Sequence, residues 1–226
     1  MAIWMSGLDR VVGPRAPREA LREDPLRFLL PTLFLGLAAF CLLVSVFTPY
    51  WRMRLLAPQY PGGLEVQVYV NRMTGDVREI DGLNHYIGMR PLGEAAQLER
   101  SLSIFAIIVI TLLVIAAMYV HSPWALVLSL PALLFPVVFM ADLYYWLWNY
   151  GQNLDPSAPL SQAIKPFVPP LLGEGRVGQF RTIAMIDSGL QLAILASVLI
   201  LLGLYFQRRA YRPLLEAERS LDVGSE

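Results

Sequence analysis

Cysteine is nearly absent: Cys41 is the single one in 226 residues. One thiol cannot make an intrachain disulfide, a thiolate zinc site or an iron–sulfur cluster. Histidine is scarce too, with His85 and His121 as the whole set. No C-x-x-C-H occurs, so c-type haem is not attached, and a bis-histidine haem would need both histidines at one depth. Lysine occurs once, at Lys165, a compositional bias in favour of arginine. Charged residues make up 16% of the chain, against roughly 25% in an average soluble domain. Lys+Arg and Asp+Glu are equal at 18 each, so net charge implies no nucleic-acid partner. There is no Gly-rich phosphate loop, no Ser–His–Asp set and no H-E-x-x-H. The chain therefore reads as a protein without catalysis of its own.

What the sequence has in quantity is apolar surface. Hydrophobic residues are 56% of it and mean hydropathy is positive. Four long apolar runs, at residues 28–48, 102–120, 124–148 and 188–206, each approach the 20 or so residues that cross a hydrocarbon core of about 30 Å. The first is too long for a signal peptide and lacks a small-x-small site. Phe40 before Cys41 does not suit a lipoprotein cleavage box, so Cys41 reads as a packed thiol. Tyr50 and Trp51, and Tyr144 to Tyr150, suit the membrane interface. Pro131 and Pro136 fall inside the third run, where neighbouring helices can satisfy the freed carbonyls. The expected fold is all-α and transmembrane: a four-helix bundle with a small extracytoplasmic cap containing a β-hairpin.

Four spans put residues 1–27 and 207–226 on one side and the loops 49–101 and 149–186 on the other. Arg10, Arg15, Arg18, Arg22 and Arg27, with Arg208, Arg209 and Arg212, make those short flanks cytoplasmic by the positive-inside rule. Arg52 and Arg54 lie on the opposite side, just past the first span. In the first loop, Ala57 to Gly63 is a turn-rich lead-in. Leu64 to Val70 alternates with the period of a half-buried strand. Residues 71–75 supply a turn, and 76–80 read as a return strand. The helical approach to the second span covers 94–100. The second loop is so rich in proline and glycine that it predicts little regular structure. A loop of that kind is functional or packed on something, and the first loop is its natural partner.

Between the hairpin and the second span lies Asp81-Gly82-Leu83-Asn84-His85-Tyr86-Ile87-Gly88-Met89-Arg90. His85 and Met89 are four apart, one face of a helix. Asp81 would cap that helix, and Gly88 and Pro91 would end it. Imidazole plus thioether is a soft, neutral pair suited to copper, Cu(I) above all. Two ligands leave a site incomplete, and Met73 and Met53 are candidates for a third. The bland alternative has His85 and Asn84 hydrogen-bonding the loop while Met89 packs beneath it. A docking role would use Tyr86 and Ile87 as apolar anchors beside Asn84. Met118 and His121 form a second pair at the opposite face, readable as an interfacial histidine beside a packing methionine. Asp142 and Asp187 lie near the outer ends of the third and fourth spans, suited to a proton or cation role or, for Asp187, to a helix cap.

Two stretches together resemble a family. One is Ala57-Pro58-Gln59-Tyr60-Pro61-Gly62-Gly63 leading to Leu83-Asn84-His85-Tyr86-Ile87-Gly88-Met89. The other is Gly151-Gln152-Asn153-Leu154-Asp155-Pro156 leading to Pro166-Phe167 and Gly178-Gln179-Phe180. They resemble small polytopic bacterial membrane proteins associated with maturation of copper respiratory enzymes of the nitrous oxide reductase kind. The second stretch departs from that pattern in having Gln152 where a histidine is expected. The resemblance implies an accessory role in copper handling outside the cytoplasm. His85 and Met89 would then be ligands and Met73 a possible third, with a membrane or periplasmic protein as partner. Without metal, the same chain would be a subunit or assembly factor of a larger respiratory complex, docking through its two outer loops. A small transporter built on Asp142 and Asp187 would need a discontinuous helix, which the spans lack.

Overall fold

The computed structural model describes residues 11–13, 16, 22–160, 162–177 and 180–223. The expectations for Arg10, Arg15 and Arg18, and for Gly178-Gln179, fall outside those residues. The described residues form five helices and a five-stranded antiparallel sheet. Helix α1 covers Pro25–Ser45, α2 Val77–Ile87, α3 Gln97–Ala117, α4 Trp124–Gln152 and α5 Ser188–Val223. The strands are β1 (Trp51–Ala57), β2 (Tyr60–Val68), β3 (Met73–Gly75), β4 (Gly173–Val177) and β5 (Phe180–Ile186). Four helices, α1, α3, α4 and the first 27 residues of α5, are long and apolar enough to cross a membrane. They suit a lipid bilayer and a multi-pass protein.

Contacts divide the chain into two compact units. The first takes Met1–Leu43, Ile107–Phe135 and Ala193–Glu226. Its interior is made by Leu35, Leu42, Ile107, Val114 and Ile200, all fully buried, with Ala38, Ala117, Ala132, Ala193 and Ala196 between them. Small residues let apolar helices approach closely when lipid removes the hydrophobic drive to associate. Gly203 is the extreme case, because a Cβ there would lie 2.8 Å from Leu35 Cγ. Gln207 is buried and spends its amide on the end of α3, donating to the carbonyls of Ala117 at 3.0 Å and Val120 at 2.8 Å. Ala117 O also accepts the Val120 N–H at 3.3 Å, and the Gln207 amide completes the capping of this helix end.

The second unit takes Val44–Ala106 and Pro136–Leu192. Its sheet has the order β3-β2-β1-β5-β4, which joins the two large loops. Strand β1 is central, with Met53 opposite Val66 on one side and Ala184 on the other. Backbone bonds continue the seam beyond the strands: Asp187 N–H donates to Tyr50 O at 2.9 Å and Gly189 N–H to Pro49 O at 2.7 Å. Tyr50 is fully buried, its hydroxyl 2.6 Å from Ser45 Oγ and its ring 4.7 Å from that of Phe139. Trp51 donates to Leu171 O at 2.6 Å. Arg52 Nε lies 2.8 Å from Asp187 Oδ2, a charge contact without hydrogen-bond alignment.

Three expectations change. The single hairpin becomes a five-stranded sheet, because the second loop contributes β4 and β5. Residues 76–80 are not a return strand; β3 is three residues long, and Val77 opens helix α2. The apolar positions Val77, Ile80, Leu83 and Ile87 follow the helical period, and Ile80 packs on Leu64 and Val66 of β2. The strand expected at Leu64 begins instead at Tyr60, with β1 before it as its hairpin partner.

Candidate metal and docking site at the end of helix α2

Helix α2 is placed by its two ends. At its start, Asp76 turns its carboxylate to β2, accepting the Glu65 N–H at 2.8 Å on Oδ2, and makes no side-chain cap. Asp81 is therefore inside the helix and does not cap it; its Oδ1 accepts the Leu92 N–H at 2.8 Å and holds the exit segment. Gly82 is an exposed mid-helix residue. The helix ends at Gly88, as its sequence signals, with φ 83°. That left-handed residue is the usual helix stop, and Met89 N–H returns to Asn84 O at 2.9 Å.

This ending separates the candidate ligands in kind. His85 is exposed and its ring meets the Tyr86 ring edge-on, centroids 6.1 Å apart. Met89 follows the reversal, so the four-residue spacing does not place it on the helical face of His85; it is half-buried. Met73 opens β3 opposite Val68, also half-buried, and Met53 lies in β1 opposite Val66. Of the docking residues, Tyr86 is 55% exposed, whereas Asn84 and Ile87 face inward. Asn84 Nδ2 is buried without a hydrogen-bond partner.

The second loop is fastened to this end of the helix. Asp155 N–H donates to Gly88 O at 2.8 Å and Leu160 N–H to Tyr86 O at 2.9 Å. A Cβ on Gly88 would stand 2.6 Å from Asp155 O, so glycine is required both by φ and by this approach. Gln152, at the departure from the family pattern, donates to Phe167 O at 3.2 Å and braces the same loop. Arg90 lies over the Tyr150 ring, 4.7 Å from its centroid, and donates to Asn149, while Tyr150 Oη donates to Pro91 O at 3.3 Å.

Asp155 belongs to the second family-like stretch but was not among the candidate site residues. Its Oδ1 accepts from Ser157 Oγ at 2.7 Å and Ser157 N–H at 2.8 Å. These bonds, with a smaller contribution from His85, hold its carboxyl below the usual carboxylate range. The Asp-Pro-Ser order is a turn signature, and that was the available signal. Among the described residues, no three His, Cys, Asp or Glu side chains converge as a metal cluster.

The other candidates have structural partners. Asp187 pairs with Arg52 and accepts the Ser188 N–H at 2.6 Å at the start of α5. Asp142 is half-buried on α4. His121 stacks face to face on Tyr211, centroids 3.7 Å apart, and Met118 packs near Gly36. No protein-family model matches this chain and no curated protein matches it.

Proposed function

We propose that this chain is a non-enzymatic integral membrane accessory protein that binds copper at the extracytoplasmic face and hands it to a respiratory enzyme. The observation that carries the reading is the exposed imidazole of His85 at the end of a helix tied by backbone bonds to the second loop. A carrier needs an ion held by few donors and open to a recipient, and an exposed imidazole meets that need. The sheet belongs outside the hydrocarbon, because an open sheet edge leaves backbone groups unpaired in lipid. Arg27 donates to the carbonyls of Arg209 and Ala210 at 3.3 and 3.1 Å, gathering basic residues of both flanks on one side, which supports cytoplasmic termini.

The second reading is a subunit or assembly factor of a respiratory complex that binds no metal. It is favoured by Tyr86, a large exposed aromatic beside the junction of the two loops. Pull-down from native membranes followed by metal analysis separates the two. Copper retained by the isolated chain and lost in His85→Ala supports the carrier. Co-purification with a large complex and no copper in the isolated chain supports the assembly factor.

A further inference from the structure

Asp155 and His85 come from different outer loops, 70 residues apart in sequence, and both are exposed. The segment carrying Asp155 is held against the end of α2 by two backbone bonds, to Gly88 O and Tyr86 O, on either side of Ile87. The carboxylate is fixed in turn, because Ser157 occupies Oδ1 through both its hydroxyl and its N–H. Among the described residues, no hydrogen bond or ion pair takes up Oδ2, which keeps open lone pairs. An imidazole and an oriented, ionised carboxylate thus face solvent from two segments stitched together by their backbones.

We propose that Asp155 supplies a carboxylate oxygen that, with the His85 imidazole, makes a two-loop site for a divalent transition-metal ion, Cu(II) in first place. Imidazole and carboxylate donors suit Cu(II), which stands highest among the divalent first-row ions for such a site, whereas thioether sulfur suits Cu(I). The His85–Asp155 pair is therefore a site for Cu(II) in preference to Cu(I). The proposal rests on the copper reading of His85 and adds to it the donor that the second loop brings.

The test uses the full chain in detergent micelles. Copper(II) sulfate is titrated and followed by electron paramagnetic resonance, and Cu(I) affinity is measured by competition with a chromophoric chelator. Asp155→Asn keeps an oxygen for the Ser157 bonds and is expected to weaken Cu(II) about tenfold or more, with Cu(I) changed less than about twofold. Ser157→Ala, which keeps both ligands and removes one of the two bonds that orient the carboxylate, is expected to weaken Cu(II) by less than Asp155→Asn does, about tenfold at most, with Cu(I) unchanged. Cu(II) binding by Asp155→Asn at the wild-type affinity overturns the proposal. So does an equal loss of both oxidation states in that variant, which would mean that Asp155 acts only in holding the loop. Wild-type binding of both states by His85→Ala overturns the copper reading itself.

Discussion

The chain has two histidines, each with a methionine three or four residues away, and the two units treat them in opposite ways. In the unit that carries the sheet, His85 ends a short helix, meets one ring edge-on and faces solvent. In the other, the His121 ring lies flat on Tyr211 at 3.7 Å, while the backbone N–H of His121 donates to Val12 O at 2.6 Å. Ser122 donates to Val11 O in the same turn, and Tyr211 in turn meets Phe28 edge-on at 5.4 Å. Spacing in sequence is nearly the same; what differs is whether the ring is used up by packing. The stack holds the His121 ring in one orientation and leaves the residue half-buried, whereas the His85 ring is exposed and stands open to an ion. Under the copper proposal, His85 is the residue open to an ion and His121 serves cohesion.

The largest effect that would break this contrast is expected at Gly88. In Gly88→Val, a β-branched side chain meets a left-handed backbone and the Asp155 carbonyl together. The left-handed conformation costs about 1–2 kcal/mol, and each of the two lost bonds to the second loop about 1 kcal/mol. The variant should lose about 3–4 kcal/mol of stability in the sheet unit, with faster amide exchange at residues 155–160. The stacked histidine of the other unit should be untouched, so unchanged exchange at 155–160 would show that the loop is not held through Gly88.

Alkaline pH loosens the same unit by another route. Burial raises the Tyr50 hydroxyl to about 12, and its bond with Ser45 offsets this only in part. An unfolded tyrosine titrates near 10. The folded state is therefore the one that keeps the proton. Its stability is intact below about pH 10 and falls as pH rises toward 12, by up to roughly 3 kcal/mol. Denaturant titrations across that range should show the loss in wild type and a much flatter profile in Tyr50→Phe. The smallest effect is expected for His121→Ala. Losing the stack on Tyr211 should cost about 1 kcal/mol, visible as a lower melting temperature with copper binding unchanged.

The four long helices were legible because length and hydropathy suffice for a span, and the alternation from Leu64 to Val70 pointed to β2. Strand β1 was hidden because Tyr50 and Trp51 also suit a membrane interface, and its arginines look like flanking charge. In β5 the buried positions are Thr182 and Ala184, small residues that carry no apolar period, while the larger Met185 is exposed. The β1–β5 pairing joins segments more than a hundred residues apart, and no local pattern encodes it. Helix α2 was half legible. Its stop at Gly88 was visible, but Asp76-Val77-Arg78 begins like a strand, and the helix start depends on Ile80 meeting Leu64 and Val66. The site followed the same division: His85 stood out by its rarity, whereas Asp155 gains meaning only once the second loop is bonded to Gly88.

The most direct measurement is the copper content of the full chain purified in detergent after copper loading and gel filtration, for wild type, His85→Ala and His121→Ala side by side. His121→Ala is expected to retain copper as wild type does, and His85→Ala to retain none above a metal-free control. Equal retention by wild type and His85→Ala, or loss confined to His121→Ala, would contradict this expectation.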